Sequence, residues 1–197
     1  MPKQVEFFFD VGSPAAYLAY TQLPRIAREA GAEIVWKPML LGGVFKATGN
    51  ASPVTVPAKG KWMMGDLGRY AKQYGVSFDT PPGFPINTLP LMRGAVGVQM
   101  RAPEKFASYV DVVFKAMFGR PRDMREPAEI AKVVSEAGLD PKEFEALIAD
   151  PEVKQRLIAI TEEAVSRGAF GAPTYFVGGE MFFGQDRLEF VAQALRA

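Results

Sequence analysis

The run Val5-Glu6-Phe7-Phe8-Phe9, followed at once by Asp10-Val11-Gly12-Ser13-Pro14, commits the chain to a strand, a turn and a helix start in that order. Ser13 falls at the N-cap, where a hydroxyl accepts one of the N–H groups a helix leaves without partners. Pro14 suits the first helical position, because its φ is already helical and its missing N–H would have had no intrahelical acceptor. An anion or thiolate brought to this point meets exposed N–H groups and the positive end of a helix dipole.

From Pro14 to about Gly31, Tyr17, Leu18, Leu23, Ile26 and Ala27 recur at helical spacing, and Gly31 supplies the stop. Ala32 to Met39 reads as a second strand, so the unit is β-α-β, with a parallel pair and a right-handed crossover. Gly42 to Pro57 reads as a loop with room for a short helix, and its Gly49-Asn50 step is a turn signal. From Lys59 the pattern turns helical for about a hundred residues. The spacing predicts helices over 61–74, 89–100, 103–118, 126–137, 141–148 and 151–167, with a proline-rich loop over 80–88. Gly171-Ala172-Pro173-Thr174 then leads into a strand, a Gly178-Gly179 turn and a second strand, a β-hairpin. Gly184-Gln185-Asp186-Arg187-Leu188 opens a last helix with Leu188, Val191 and Leu195 on one face. Strand-rich ends around a helical middle predict one mixed sheet built from both ends with a helical insertion. The expected units are 1–41 with 169–197, and 42–168.

Two absences narrow the chemistry. The chain has no cysteine and no histidine. Disulfides, protein thiol catalysis, cysteine-rich metal sites, the usual base near neutral pH and the commonest zinc ligand are all excluded, and no metal is expected. An enzyme built from this chain takes its nucleophile or base from a cofactor, or uses a carboxylate, lysine or tyrosine. With 23 basic against 22 acidic residues there is no electrostatic case for nucleic acid. No segment has the length of a membrane span and no leader pattern is visible, so the expectation is a cytoplasmic protein with no membrane partner.

The element order, with an active turn after the first strand and Gly171-Ala172-Pro173-Thr174 before the hairpin, resembles an α/β thioredoxin-like fold of the DsbA type, β-α-β plus β-β-α, with a large inserted all-helical domain. The resemblance implies that Pro173 is cis and faces Ser13. Where redox members carry two cysteines, this chain has Ser13-Pro14-Ala15-Ala16, so its own side chains perform no thiol–disulfide exchange. Phe8-Phe9-Asp10-x-x-Ser13-Pro14-x-x-Tyr17-Leu18-Ala19, Gly49-Asn50-x-x-Pro53 with Lys59 and Asp66-Leu67-x-Arg69, and Phe170-Gly171-x-Pro173-Thr174-x-Phe176 to Gly184-x-Asp186-Arg187-Leu188 are similar to the kappa-class glutathione transferases and, within that group, the 2-hydroxychromene-2-carboxylate isomerases.

That resemblance implies glutathione as cofactor and a small aromatic substrate. Ser13 would hydrogen-bond the sulfur, and the backbone of Ala172 ahead of Pro173 would pair with the cysteinyl part. Asp186 and Arg187 fall where the γ-glutamyl end binds, while Asn50 and Lys59 match positions near the glutathione and substrate sites. It also implies a homodimer. From the local pattern alone, Ser13 is an N-cap, Asn50 a turn residue, Asp186 a charge near a helix start, Pro173 the mark of a turn before a strand, and Lys59 and Arg187 solvated surface charges. The function the resemblance implies is a glutathione-dependent isomerase in aromatic compound catabolism, its thiolate adding reversibly to a conjugated aromatic ylidene-pyruvate; the alternatives are a kappa-class-like glutathione transferase and a non-catalytic thioredoxin-fold binding module. Ala15-Ala16 departs from the larger or polar residues the family often has there. The 81–88 loop, Trp62 and Met63 are candidates for the acceptor pocket.

Overall fold

A computed structural model describes residues 3–197; the first two residues of the expected N-terminal segment lie outside the described residues. β1 (Lys3–Phe9), α1 (Pro14–Glu29) and β2 (Ala32–Pro38) form the opening β-α-β unit, and α2 (Leu41–Thr48) follows. The helical middle comprises α3 (Pro57–Tyr74), α4 (Leu89–Arg101), α5 (Phe106–Phe114), α6 (Pro127–Glu136), α7 (Pro141–Ala149) and α8 (Pro151–Ser166). β3 (Thr174–Val177), β4 (Glu180–Phe183) and α9 (Leu188–Arg196) close the chain. The sheet runs β2-β1-β3-β4, with β1 parallel to β2 and antiparallel to β3. The element order is the expected β-α-β plus β-β-α, with a helical region between the two parts.

β1 is central, and its near-continuous apolar run is the mark of a strand covered on both faces. Phe7 and Phe9 stack at 5.2 Å and face Trp36, Tyr175 and, from α5, Phe114. Phe8 points the other way, edge-on to Phe176. On that side Arg167, the C-cap of α8, lies 3.7 Å from the Phe176 ring and ion-pairs with Glu6 at 2.7 Å. Lys37 of β2 pairs with Glu163 of α8 at 2.9 Å, so four charges fasten α8 across β1 and β2.

Several boundaries differ from the periodicity. α1 runs unbroken through the exposed Pro24, as the spacing predicts, although proline withholds one intrahelical N–H. α3 starts at Pro57 rather than 61, with Pro57 at its first position. The helix expected over 103–118 divides into a 3-10 turn at Pro103–Lys105, α5, and a π-helical turn at Lys115–Gly119. The wider turn carries Phe118 against Tyr17 and Phe78, and a Cβ on Gly119 would stand 2.9 Å from the Tyr17 hydroxyl. No helix among the described residues is long and apolar enough to cross a membrane.

Two outcomes are expected. Hydrogen bonding from Arg167, opposed by partial burial, holds the Glu6 carboxyl below its usual 4.5. A depressed carboxylate stabilises the fold above its unfolded value and loses that contribution as pH falls through the folded one. Urea unfolding of Glu6→Gln should therefore show a deficit at neutral pH that shrinks steadily below pH 4.5; a deficit independent of pH would count against the ion pair. On α4, a Cβ at Gly94 would stand 2.3 Å from the Tyr109 hydroxyl and 2.5 Å from the Phe144 ring. Gly94→Ala should cost about 1–3 kcal/mol by overpacking, despite alanine's better helix propensity.

Candidate active site

Ser13 caps α1 with an extended backbone, φ −93° and ψ 113°. Its Oγ accepts the Ala16 N–H at 3.1 Å, and its hydroxyl donates to the Ala172 carbonyl at 2.9 Å. The single proton of the side chain is thus given to the loop before β3, and the residue is only 4% exposed. The Ala172–Pro173 bond is cis.

Every carbonyl from Phe170 to Pro173 has a fixed donor. Asn50 Nδ2 donates to Phe170 at 2.8 Å, Thr174 Oγ1 to Gly171 at 2.8 Å, Ser13 to Ala172, and the Gly184 N–H to Pro173 at 3.0 Å. The N–H groups are not all spent in the same way. Those of Ala172 and Ala15 donate to no protein group among the described residues. The loop is therefore held rigidly while two backbone donors remain beside Ser13, one of them at the start of α1. Phe183 lies over the loop, 2.8 Å from where a Cβ on Gly171 would be, and packs on Phe170 at 4.5 Å.

Ser13, Asn50, Ala172 and Pro173 therefore share one end of the sheet. Asp186 and Arg187 sit in a 3-10 turn, Gln185–Arg187, ahead of α9 rather than inside it. The Gly184–Pro173 bond ties this turn to the loop, and Tyr74 donates to Gln185 Oε1 at 2.8 Å. Asp186 and Arg187 pair with each other at 2.5 Å, and Asp186 lines a cleft of about 420 Å³ between α1, α3 and α9. Burial, with Tyr70 and Asp186 adding to it, pushes the Tyr74 phenol up to about 12. Lys59 is exposed on the first turn of α3 with no hydrogen bond or ion pair among the described residues.

Two residues that the sequence reading left without a role meet at the same place. Asp10 is 1% exposed and accepts the Gly12 N–H at 2.8 Å, the Leu41 N–H at 2.8 Å and the Thr88 hydroxyl at 3.2 Å. Burial pushes its carboxyl up, and those three donors pull it back. A carboxylate directly after an apolar strand was the available signal, because such a group is buried only with donors around it. Thr88 carried no comparable mark. It does bring the end of the 81–88 loop to the active turn, while Phe84 of that loop packs edge-on to Phe118 and Trp62 is 64% exposed. A larger cleft, about 640 Å³, opens between α1 and the π-helical turn beside Tyr17, Tyr20 and Arg122, and holds none of the expected site residues.

The sequence and the fold have close relatives. The family model described as DSBA-like thioredoxin domain matches residues 4–196. The chain is 30% identical over 197 residues to a 2-hydroxychromene-2-carboxylate isomerase of Sphingobium xenophagum, covering 99% of each. It is 31% identical to glutathione S-transferase kappa 1 of Homo sapiens, covering 99% of this chain and 92% of that one. The solved structure of a 2-hydroxychromene-2-carboxylate isomerase superposes with a TM-score of 0.87 at 31% identity, over 98% of this chain and 94% of that one. The two active-turn residues that replace a cysteine pair, the cis proline opposite them and this full-length similarity agree: the chain belongs to the DsbA-like thioredoxin family, in the group that holds the 2-hydroxychromene-2-carboxylate isomerases and kappa-class glutathione transferases.

Proposed function

We propose that this protein is a glutathione-dependent isomerase of the 2-hydroxychromene-2-carboxylate isomerase type, acting on a conjugated aromatic ylidene-pyruvate. The observation that carries the reading is the meeting of Ser13 and Ala172, a helix-capping hydroxyl 2.9 Å from the carbonyl of a residue whose own N–H is unspent. A short extended peptide requires such an edge, because its backbone pairs with one residue's N–H and C=O together. The residues present therefore suit the tripeptide. Glutathione held there by Ser13 and Ala172 would supply a thiolate for reversible addition to the conjugated side chain, the chemistry that isomerisation about that double bond needs.

The chain's own part is to bind the ligand and keep its sulfur ionised. Ser13 turns its O–H from the Ala172 carbonyl to the sulfur without giving up the bond from Ala16, and Ala172, next to Pro173, takes the cysteinyl backbone. Asp186 takes the γ-glutamyl ammonium. Its present pairing with the half-exposed Arg187 is a weak competitor, since exposed ion pairs contribute little. Arg187, Asn50 and Lys59 complete the polar surround. A thiol of pKa ~8.5 is about 3% ionised at pH 7 and about 75% ionised once lowered by about two units, a bias of ~2.7 kcal/mol. A hydroxyl donor at a helix N-terminus is a reasonable source for it.

The reading carries with it a homodimer in the cytoplasm, where glutathione is the main thiol pool, a role in aromatic compound catabolism, and two units, 1–41 with 169–197 and 42–168. A second reading, transfer of glutathione to an electrophile, is favoured by the kappa-class relative. Incubation with glutathione and a conjugated aromatic 2-oxo acid separates the two: an unmodified isomer supports the first, a product containing the tripeptide the second. Calorimetry showing no glutathione binding at millimolar ligand removes both and leaves a binding module. Ser13→Ala should keep the fold and most of the glutathione affinity while raising the bound thiol's pKa by about one to two units, read by ultraviolet thiolate titration. An unchanged titration would remove Ser13 from the role.

A further inference from the structure

Asp10 bonds directly to three segments around the candidate site: its own active turn, the start of α2 and the cap of α4. Its Oδ1 holds the Gly12 N–H and its backbone carbonyl the Ser13 N–H at 3.0 Å, so both ends of the active turn close on this one residue. Oδ2 takes the N–H of Leu41, the first residue of α2, a helix whose N-cap Leu40 provides no side-chain bond. The same oxygen takes the hydroxyl of Thr88, the N-cap of α4, which spends its side chain here instead of on its own helix. α2 ends at Gly49, and the next residue, Asn50, grips the carbonyl of Phe170 at the edge of the cis-proline loop. The turn, the Asn50 arm and the 81–88 loop all trace back to one carboxylate. No charged or titratable side chain hydrogen-bonds or ion-pairs with it among the described residues; from its own turn, α2 and the α4 cap it meets two N–H groups and a hydroxyl.

We propose that Asp10 is a positioning residue for the bound thiol, the internal anchor that holds the Ser13 hydroxyl, and through α2 the Asn50–Phe170 clamp, in register with the Ala172 edge. The role rests on the glutathione reading above. Because the carboxylate is buried without a cation, its loss does not strip an ion pair from the core; what it loses is the convergence of three donors. Asp10 contacts none of the reacting atoms, so its effect is felt through the ionisation of the sulfur rather than through binding.

The test is Asp10→Asn, which keeps the shape but turns an NH2 group towards donors, together with Thr88→Val, which removes only the hydroxyl and serves if the first variant fails to fold. Without ligand, the amides of Gly12, Ser13 and Leu41 should exchange at least about tenfold faster in Asp10→Asn, while exchange in α6 and α7 stays as in the wild type. With glutathione, affinity should stay within about threefold, the bound thiol's pKa should rise by about one unit, and turnover at pH 7 should fall about threefold and recover as pH rises. Thr88→Val should move each readout the same way and less. Unchanged exchange at the turn, or an unchanged thiol pKa with turnover lowered equally at every pH, overturns the assignment. Failure of the wild type itself to bind glutathione also overturns it, and is distinguishable because it shows before any residue is changed.

Discussion

The hydrogen bond from Ser13 to Ala172 joins residues 159 positions apart, and the site is built around that closure. It exists because β1 lies between a strand that follows it closely and a strand from the far end of the chain. The antiparallel pairing of Phe8 with Thr174 sets the register, and from there the turn after β1 and the loop before β3 emerge at the same end of the sheet. Shifting that register by one residue would turn Tyr175 and Phe176 to opposite faces and part Ser13 from the loop.

Burial of polar groups follows the same geography. Asp10, Ser13, Thr88, Thr161, Thr174 and Gln185 are the buried polar or charged side chains among the described residues. Five bond to the active turn, the start of α2 or the cis-proline loop, Thr161, for example, accepting the Leu40 N–H at 3.0 Å, and Gln185, in the turn before α9, accepts the Tyr74 hydroxyl. Elsewhere the interior is apolar and aromatic, with charges kept to the rim as in the Glu6, Lys37, Glu163 and Arg167 cluster. Buried polar groups are costly unless fully bonded and then confer rigidity. Their concentration at one end marks where the molecule spends stability on fixed geometry, and beside it the Ala172 and Ala15 N–H groups have no protein acceptor among the described residues.

Much of this was legible in the chain. Ser13 and Pro14 announced the start of α1, Gly178-Gly179 the hairpin, and the helical periodicity the inserted region, because capping, turn chemistry and amphipathic spacing are local properties of short segments. The cis proline and its place opposite Ser13 came from likeness to a family. What escaped was of two kinds, the boundaries of elements and the pairings with distant residues. The helix expected to run to Phe118 becomes a π-helical turn because Phe118 and Gly119 must fit against Tyr17. α3 gains a turn from Pro57, and Asp186 stands ahead of the last helix, paired to Arg187. Asp10 carried a mark, a carboxylate directly after an apolar strand, but its bonds to Leu41 and Thr88 could not be read from the chain, since those partners lie tens of residues away.

The sequence by itself determined which elements form, that no side chain of this protein can be a thiol or an imidazole, and where one helix presents a hydroxyl at its positive end. The tertiary structure decided which carbonyl takes that hydroxyl's proton, which backbone N–H groups stay free, and that one buried carboxylate links three elements. The division has a physical cause: helices, turns and caps are set by interactions over a few residues, whereas the pairing of a buried polar atom is settled only when packing brings its partners within hydrogen-bond reach.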